Sequence, residues 1–355
     1  MSLKFVPLKV LEVIRETADA NTVVFEAPAD GSFAYLPGQY LTLKFDVGGE
    51  SLRRAYSLCS SPITEANLAV TVKRVADGRV SNHIADKVNA GDTVEVMPPM
   101  GNFRLEVDPA RAHHYVLIGG GSGITPLMSI IKSVLEKEPN SKLTLIYGNR
   151  DINSIIFKSQ LEAFEASHAD RFRTIHSLDT ADGSWTGLTG QLNRQVLLGV
   201  LSDVMGIDNL PKSFWLCGPG GMMEEAEAAM GFLGIAKNDI KKESFTASLP
   251  SADKAPTVTS AGKAADYTIK VILDGDEKEV LVKQSATILE AVIDAGMDPP
   301  YACQMGVCCT CRAKVSSGTV EMEEDEGLSD TEIEEGYVLT CQSHPMTPDV
   351  VLEYM

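Results

Sequence analysis

Four cysteines near the C-terminus constrain this chain more than anything else in it: Cys303, Cys308, Cys311 and Cys341. Their spacing is C-x4-C-x2-C, then a long gap and a fourth cysteine, which is the ligand pattern of a plant-type [2Fe–2S] cluster. Two irons need four thiolates, so a tight loop supplies three and a distant segment closes the site. A cluster of this kind passes single electrons at low potential, about −400 mV for plant-type proteins. A structural zinc site is the alternative. Zinc favours paired C-x2-C units with short outer gaps, and only one such pair is present. Cys309 lies between two of the ligands. It reads as a spare thiol packed in the loop, or as a substitute ligand if Cys308 were lost.

At 355 residues the chain is expected to hold two or three domains. No apolar run approaches the ~20 residues of a membrane span, and Met1 to Ala20 lacks the apolar core and cleavage site of a signal peptide. Seven cysteines, four of them committed to the cluster, leave Cys59, Cys217 and Cys309 over. That usage fits a reducing cytoplasm better than a disulfide scaffold. The net charge of −18 is uneven: Asp266 to Met355 has 19 acidic and 5 basic residues, so it carries −14. Nucleic acid and membrane are poor partners for such a surface. A basic face on a protein partner complements it, although Glu321 to Glu335 also reads as a plain solvated face.

The order of elements divides the chain. Up to about Leu105 short alternating strands such as Val10–Thr17, Thr22–Ala27, Leu41–Phe45 and Leu68–Val75 predict an antiparallel β-barrel over 1–107. Over 108–246 strands alternate with helices, as in an open parallel α/β sheet. The strands are Tyr115–Ile118, Lys142–Tyr147, Arg171–His176 and Ser213–Cys217; Pro126–Lys137 and Phe157–Ser167 are helical. Residues 247–265, rich in Ala, Ser, Pro and Lys, read as a linker spanning roughly 20–25 Å. Over 266–355 a hairpin (Tyr267–Leu273, Lys278–Val282) and a helix (Thr287–Ala295) precede the cysteine loop, the pattern of an α+β ferredoxin-type (β-grasp) domain.

Two further motifs carry chemistry. Tyr115 to Pro126 runs from an apolar strand through Gly119-Gly-Gly-Ser-Gly123 into a helix. Glycines let the backbone approach a pyrophosphate, and the helix N-terminus attracts its charge. Pro126 stands where an ordinary dinucleotide fingerprint has its third glycine. The other motif is Arg54-Ala-Tyr-Ser57 at a strand end, with Val72-Lys-Arg74 and Gly78-Arg-Val-Ser81 downstream. In this order, and with Cys217-Gly-Pro219 and Glu243-Ser-Phe245, the motifs resemble the ferredoxin–NADP reductase superfamily over residues 1 to about 246.

That resemblance implies FAD rather than FMN, because the superfamily's FMN members usually carry a different phosphate loop. It implies that Arg54 forks onto the flavin pyrophosphate with Ser81 and the backbone at Gly78, that Tyr56 lies against the isoalloxazine, and that Ser57 bonds near its N5. Thr125 and Cys217 would border the nicotinamide, Glu243 would sit near the flavin, and Phe245 would cover it. Ser57, Cys217 and Glu243 become the catalytic set. Val72, Lys73, Val80, Gly119, Gly120, Gly121, Gly123, Pro126, Gly218 and Pro219 join the cofactor-binding residues. Tyr56 as a barrel-core tyrosine and Cys217 as a buried strand-end thiol are the plainer alternatives.

Asn149 and Arg150 follow the second parallel strand, where dinucleotide folds read the ribose. An Arg there accommodates a 2′-phosphate, which favours NADPH, while Asp151 keeps NADH open.

The tail segments Cys308–Val315, Gly318–Met322 and Gly336–Pro345 resemble the reductase components of phenylacetyl-CoA epoxidase systems. Reductases of Rieske-type hydroxylases share the architecture. The implied partner is a di-iron monooxygenase, and the implied route is NADPH to FAD to [2Fe–2S] to that oxygenase. A stand-alone NAD(P)H diaphorase and a redox sensor acting through the acidic tail are the other readings.

Overall fold

Alternation of buried and exposed side chains builds the first third of the chain, as in Leu8 and Val10 inward against Lys9 and Leu11 outward. The computed structural model describes residues 4–245 and 265–354. The linker expected over 247–265 lies outside the described residues, apart from Ala265. Strands β1 (Val6–Arg15), β2 (Ala20–Phe25), β3 (Tyr40–Val47), β4 (Glu50–Ser57), β5 (Leu68–Lys73) and β6 (Thr93–Met100) form an antiparallel sheet in the order β4-β3-β6-β1-β2-β5. A bridge between Leu58 and Val70 closes it into a barrel. Helix α1 (Arg79–Lys87) buries Val80 and Ile84 against the barrel core.

β1 starts four residues before the expected Val10 and ends two before the expected Thr17. Its N-terminal half pairs with β6, a strand that the two prolines at 98 and 99 disguise in sequence.

The second sheet is parallel throughout. It comprises β7 (His114–Gly120), β8 (Lys142–Asn149), β9 (Phe172–Leu178), β10 (Leu188–Thr189), β11 (Lys212–Cys217) and β12 (Ile240–Glu243). Their order is β10-β9-β8-β7-β11-β12. Helices α2 (Ile124–Lys137), α3 (Lys158–Ser167), α4 (Arg194–Gly206) and α5 (Gly220–Phe232) lie between the strands in sequence. Covered on both faces, β7 is buried at every residue. The strand order reverses between β7 and β11, and ligands of open α/β sheets bind at the carboxyl ends beside such a reversal. Barrel and parallel sheet share one core, since Cys59, Ala69, Phe103 and Leu105 pack with Tyr115, Leu127 and Trp215. Cys59 is therefore a buried structural thiol.

The C-terminal sheet contains β13 (Tyr267–Leu273), β14 (Asp276–Val282), β15 (Arg312–Ser317), β17 (Tyr337–Leu339) and β19 (Val351–Tyr354), in the order β14-β13-β19-β15-β17. A separate pair, β16 (Val320–Met322) with β18 (Ser343–Pro345), lies beside it. Helix α6 (Ile288–Asp294) starts at a reciprocal Thr287–Glu290 capping box, and α7 (Asp330–Glu334) at a Ser329–Glu332 one. No described helix is long and apolar enough to cross a membrane.

Candidate active site

The carboxyl ends of three neighbouring strands place Gly119 (β7), Cys217 (β11) and Glu243 (β12) in one row, because Gly119 is in register with Cys217 and Cys217 with Glu243. From the barrel, the last residue of β4 meets this row: Ser57 Oγ donates to Glu243 Oε2 at 3.1 Å. Residues 186 positions apart thus form one polar contact. Part of the Glu243 surface opens on a cavity of about 40 Å³ shared with Tyr40, Cys308 and Cys309. Loss of water around the carboxyl still raises its pKa to about 8, against the lowering effect of the Ser57 bond. Cys217 is fully buried, and burial together with the neighbouring Glu243 pushes its thiol up. The contact with Glu243 adds a polar neighbour to what would otherwise be a plain strand-end thiol.

The glycine loop is built for close approach. A Cβ at Gly123 would run into the Cys217 carbonyl, and one at Gly120 would lie 2.6 Å from Pro219 Cδ. One at Gly218 would lie 2.9 Å from the Gly120 nitrogen. Gly119 to Gly123 and Gly218-Pro219 are therefore two halves of one cradle, on which α2 and α5 begin. Tyr147 Oη anchors it by donating to the Gly121 carbonyl at 2.9 Å. Thr125 is buried and its hydroxyl turns back to the Ser122 carbonyl at 2.9 Å; Pro126 follows inside α2.

On the barrel side, α1 starts at Gly78 with no side-chain cap, which leaves its first N–H groups for an anion. Ser81 Oγ accepts from Val75 N and donates to the Gly78 carbonyl, shaping that turn. Arg54 donates to the Arg53 carbonyl at 2.7 Å. Tyr56 packs on the barrel core while staying partly exposed. Val72 is core. Lys73 reaches across the junction, with its Nζ 3.5 Å from where a Gly121 Cβ would stand. Phe245, the last residue described before the linker, is exposed. An uncapped helix start on the barrel and a second, glycine-lined helix start on the parallel sheet fit two pyrophosphates.

Arg150 does not stand free. It donates to Asp19 of the barrel at 2.6 Å, with Lys73 4.0 Å from the same carboxylate. Asp151, the residue that kept NADH open, is occupied in capping Asn153 and Ser154. Asn149 is buried at the end of β8. Sequence could not show the Asp19 contact, which joins residues 131 positions apart.

The four cysteines form two pairs. Cys303 lies within hydrogen-bonding reach of Cys308, and Cys311 of Cys341. Two pairs suit two irons with two thiolates each better than one ion with four. Bonding from Cys308, then from the backbone amides of Met305, Cys308 and Val307 against the opposing effect of burial, lowers the Cys303 pKa. Amides aimed at sulfur suit a bound thiolate cluster. Cys309 belongs to neither pair. Its buried thiol lies 3.5 Å from Tyr40 Oη, and Tyr40 Oη also meets Thr310 Oγ1 at 2.9 Å.

Sequence reasoning missed these barrel contacts, because Tyr40 looks like any strand residue. It also missed how the acidic run is used. Glu326 accepts from Ser244 at 2.8 Å, and Glu332 accepts from Asn102 and pairs with Arg312. Glu321, Glu323, Glu324, Glu334 and Glu335 remain exposed. The cysteine loop thus sits where barrel, parallel sheet and C-terminal domain meet, within one small cavity of Glu243.

Comparison with known proteins fits this geometry. Three family models match: an oxidoreductase FAD-binding domain over residues 7–105, an oxidoreductase NAD-binding domain over 117–228, and a 2Fe-2S iron-sulfur cluster binding domain over 271–346. A component of the 1,2-phenylacetyl-CoA epoxidase of Escherichia coli is 36% identical over 99% of this chain and 98% of its own length. The ferredoxin reductase component of 3-ketosteroid-9-alpha-monooxygenase from Rhodococcus rhodochrous is 37% identical over 98% of this chain and 96% of its own. In fold, the chain is similar to phthalate dioxygenase reductase, with a TM-score of 0.58, 24% identity and 98% of each chain covered.

Proposed function

Because the chain belongs to the FAD-, NAD- and 2Fe-2S-binding reductase components of oxygenase systems, we propose that it carries electrons from NADPH to a di-iron epoxidase acting on phenylacetyl-CoA. The observation that carries this reading is end-to-end similarity to the epoxidase component of Escherichia coli, joined to the tail segments Cys308–Val315 and Gly336–Pro345. The 37% identity to a ketosteroid hydroxylase reductase supports a second reading, service to a Rieske-type oxygenase.

When bound, FAD takes the two electrons of a hydride and the [2Fe–2S] cluster releases them one at a time. The chain's own residues position and protect that chemistry. Arg54 and the start of α1 hold the flavin pyrophosphate, Tyr56 lies along the ring, and Phe245 shields it. Ser57 Oγ and the Glu243 carboxyl hold a proton at the reacting edge, and Glu243 is protonated at pH 7 with its pKa near 8. Thr125 and Cys217 border the nicotinamide, and Gly120, Gly123 and Gly218 let the two loops at the starts of α2 and α5 close on each other, where the helix N-termini attract its pyrophosphate. Gln304 and Met305, on the exposed edge of the cysteine loop, face outward beside the acidic Glu323 and Glu324. That edge fits a basic recess on the oxygenase.

The test is reconstitution. With the oxygenase part of the epoxidase, oxygen and NADPH, phenylacetyl-CoA should give one epoxide and one water per NADPH oxidised, and the reductase alone should give none. Absence of product there, with turnover when the ketosteroid hydroxylase component replaces the epoxidase, would establish the second reading.

Arg150 favours NADPH through its charge. Once a 2′-phosphate competes with Asp19 for it, a charge-assisted contact forms. Arg150→Ala should raise the KM for NADPH about tenfold, the worth of one such contact, and leave that for NADH nearly unchanged. Equal changes in the two KM values in steady-state assays would remove the preference for NADPH.

A further inference from the structure

Strand β4 presents two faces. Arg54 and Tyr56 alternate on the one assigned to flavin, while Arg53 and Ala55 lie on the other, against the C-terminal domain. Arg53 is 6% exposed, although it is a cation on a barrel surface. Its guanidinium donates to the Pro299 carbonyl at 3.1 Å and pairs with Asp298. It also lies 4.2 Å from the centre of the Tyr301 ring and 5.0 Å from that of Phe5. Two residues beyond Tyr301 is Cys303, and Ala55, Met100 and Tyr40 pack with Ala302, Cys308 and Cys309. Among the described residues, the other ion pair between barrel and C-terminal domain, Lys4–Asp274, is exposed on both sides and so is worth little.

We propose that Arg53 is the positioning residue that seats the ferredoxin domain on the flavin barrel, and so sets the rate of electron passage from flavin to cluster. The argument is one of desolvation. A buried guanidinium is tolerated only where its charge is matched, and here every partner beyond Phe5 belongs to the C-terminal domain. Undocking would strip it of those partners at once. The planar cation fits the slot between two rings and a carbonyl, a geometry that lysine does not reproduce. With the domain seated, the cluster loop touches Tyr40 on one side and leaves Gln304 and Met305 open on the other. Electrons can then enter and leave by different edges without the domain lifting off. This inference rests on the family assignment and not on which oxygenase is served.

The experiment uses the full-length, FAD- and iron-loaded protein. Anaerobic rapid mixing with NADPH separates flavin bleaching from cluster bleaching, and hydrogen exchange reports protection of residues 50–57 and 299–310. Arg53→Ala should slow cluster reduction about tenfold or more, the loss of a buried, stacked and hydrogen-bonded cation. It should also deprotect both segments, with flavin reduction and iron content unchanged. Arg53→Lys should fall between. Asp298→Lys, at a side chain 76% exposed and safe for folding, should repel Arg53 and act in the same direction. Unchanged cluster reduction and protection in Asp298→Lys and in any folded Arg53→Ala would overturn the proposal. Loss of iron or of flavin reduction in the unmodified protein would instead sink the reductase reading.

Discussion

Cys311→Ala should purify without its iron, whereas Cys309→Ala should keep about two irons per chain. The two residues are two positions apart and equally deep, with Cys311 1% and Cys309 4% exposed, so burial does not separate them. Pairing does. Cys311 faces Cys341 and would leave one iron with a single thiolate, while Cys309 faces Tyr40 across the domain junction. Without the cluster, reduction of cytochrome c, a one-electron acceptor, should fall at least ~100-fold, because the low-potential exit is gone. Reduction of ferricyanide directly from the flavin should continue. Iron analysis and the two acceptor assays on both variants decide the matter. Iron lost from Cys309→Ala, or retained in Cys311→Ala, would mean that the ligand pairs are wrongly drawn. In Cys309→Ala the 3.5 Å contact to Tyr40 disappears, and the Tyr40–Thr310 bond keeps the loop in place.

The contrast between these cysteines shows what a sequence can and cannot hold. Ligand spacing is local chemistry, and so is a glycine loop between a strand and a helix, so Cys303 to Cys311 and Gly119 to Gly123 were legible as motifs. The parallel sheet was legible too, because strands buried on both faces read as unbroken apolar runs. Contacts between elements far apart in the chain were not. Arg53 looks like a lesser neighbour of Arg54 until β4 is seen to serve two domains. Asp19, in the turn between β1 and β2, gives no sign that it will hold Arg150. Glu326 and Glu332 look like the rest of an acidic run, yet they accept hydrogen bonds from Ser244 and Asn102. In each case the partner lies far away in the chain, 82 residues at the nearest, and its distance follows from how whole domains pack, which no local pattern encodes.

Glu243→Gln should slow flavin reduction by NADPH about 100-fold at pH 7, the lower end of what a positioned proton donor contributes. Gln keeps the volume and the neutrality of the protonated acid but has no acidic proton to give. The sign with pH follows from the raised pKa. Burial lifts the carboxyl from 4.5 to about 8, so the competent, protonated form fills the site at pH 7 and is lost as pH rises through about 8. The wild-type rate should therefore fall above that point, approaching tenfold per pH unit, and the Gln variant should be flat. Stability obeys the same linkage. Between 4.5 and about 8 the folded chain binds a proton that the unfolded chain releases, so this group's contribution to stability falls as pH rises across that window. Glu243→Gln should lose less stability than wild type between pH 6 and 8, a difference that thermal melts at both values would show. A Gln variant whose rate falls above pH 8 as steeply as wild type would assign the titration to another group. Glu243 would then be a packing residue at the end of β12, and the proton at the flavin edge would have to come from solvent.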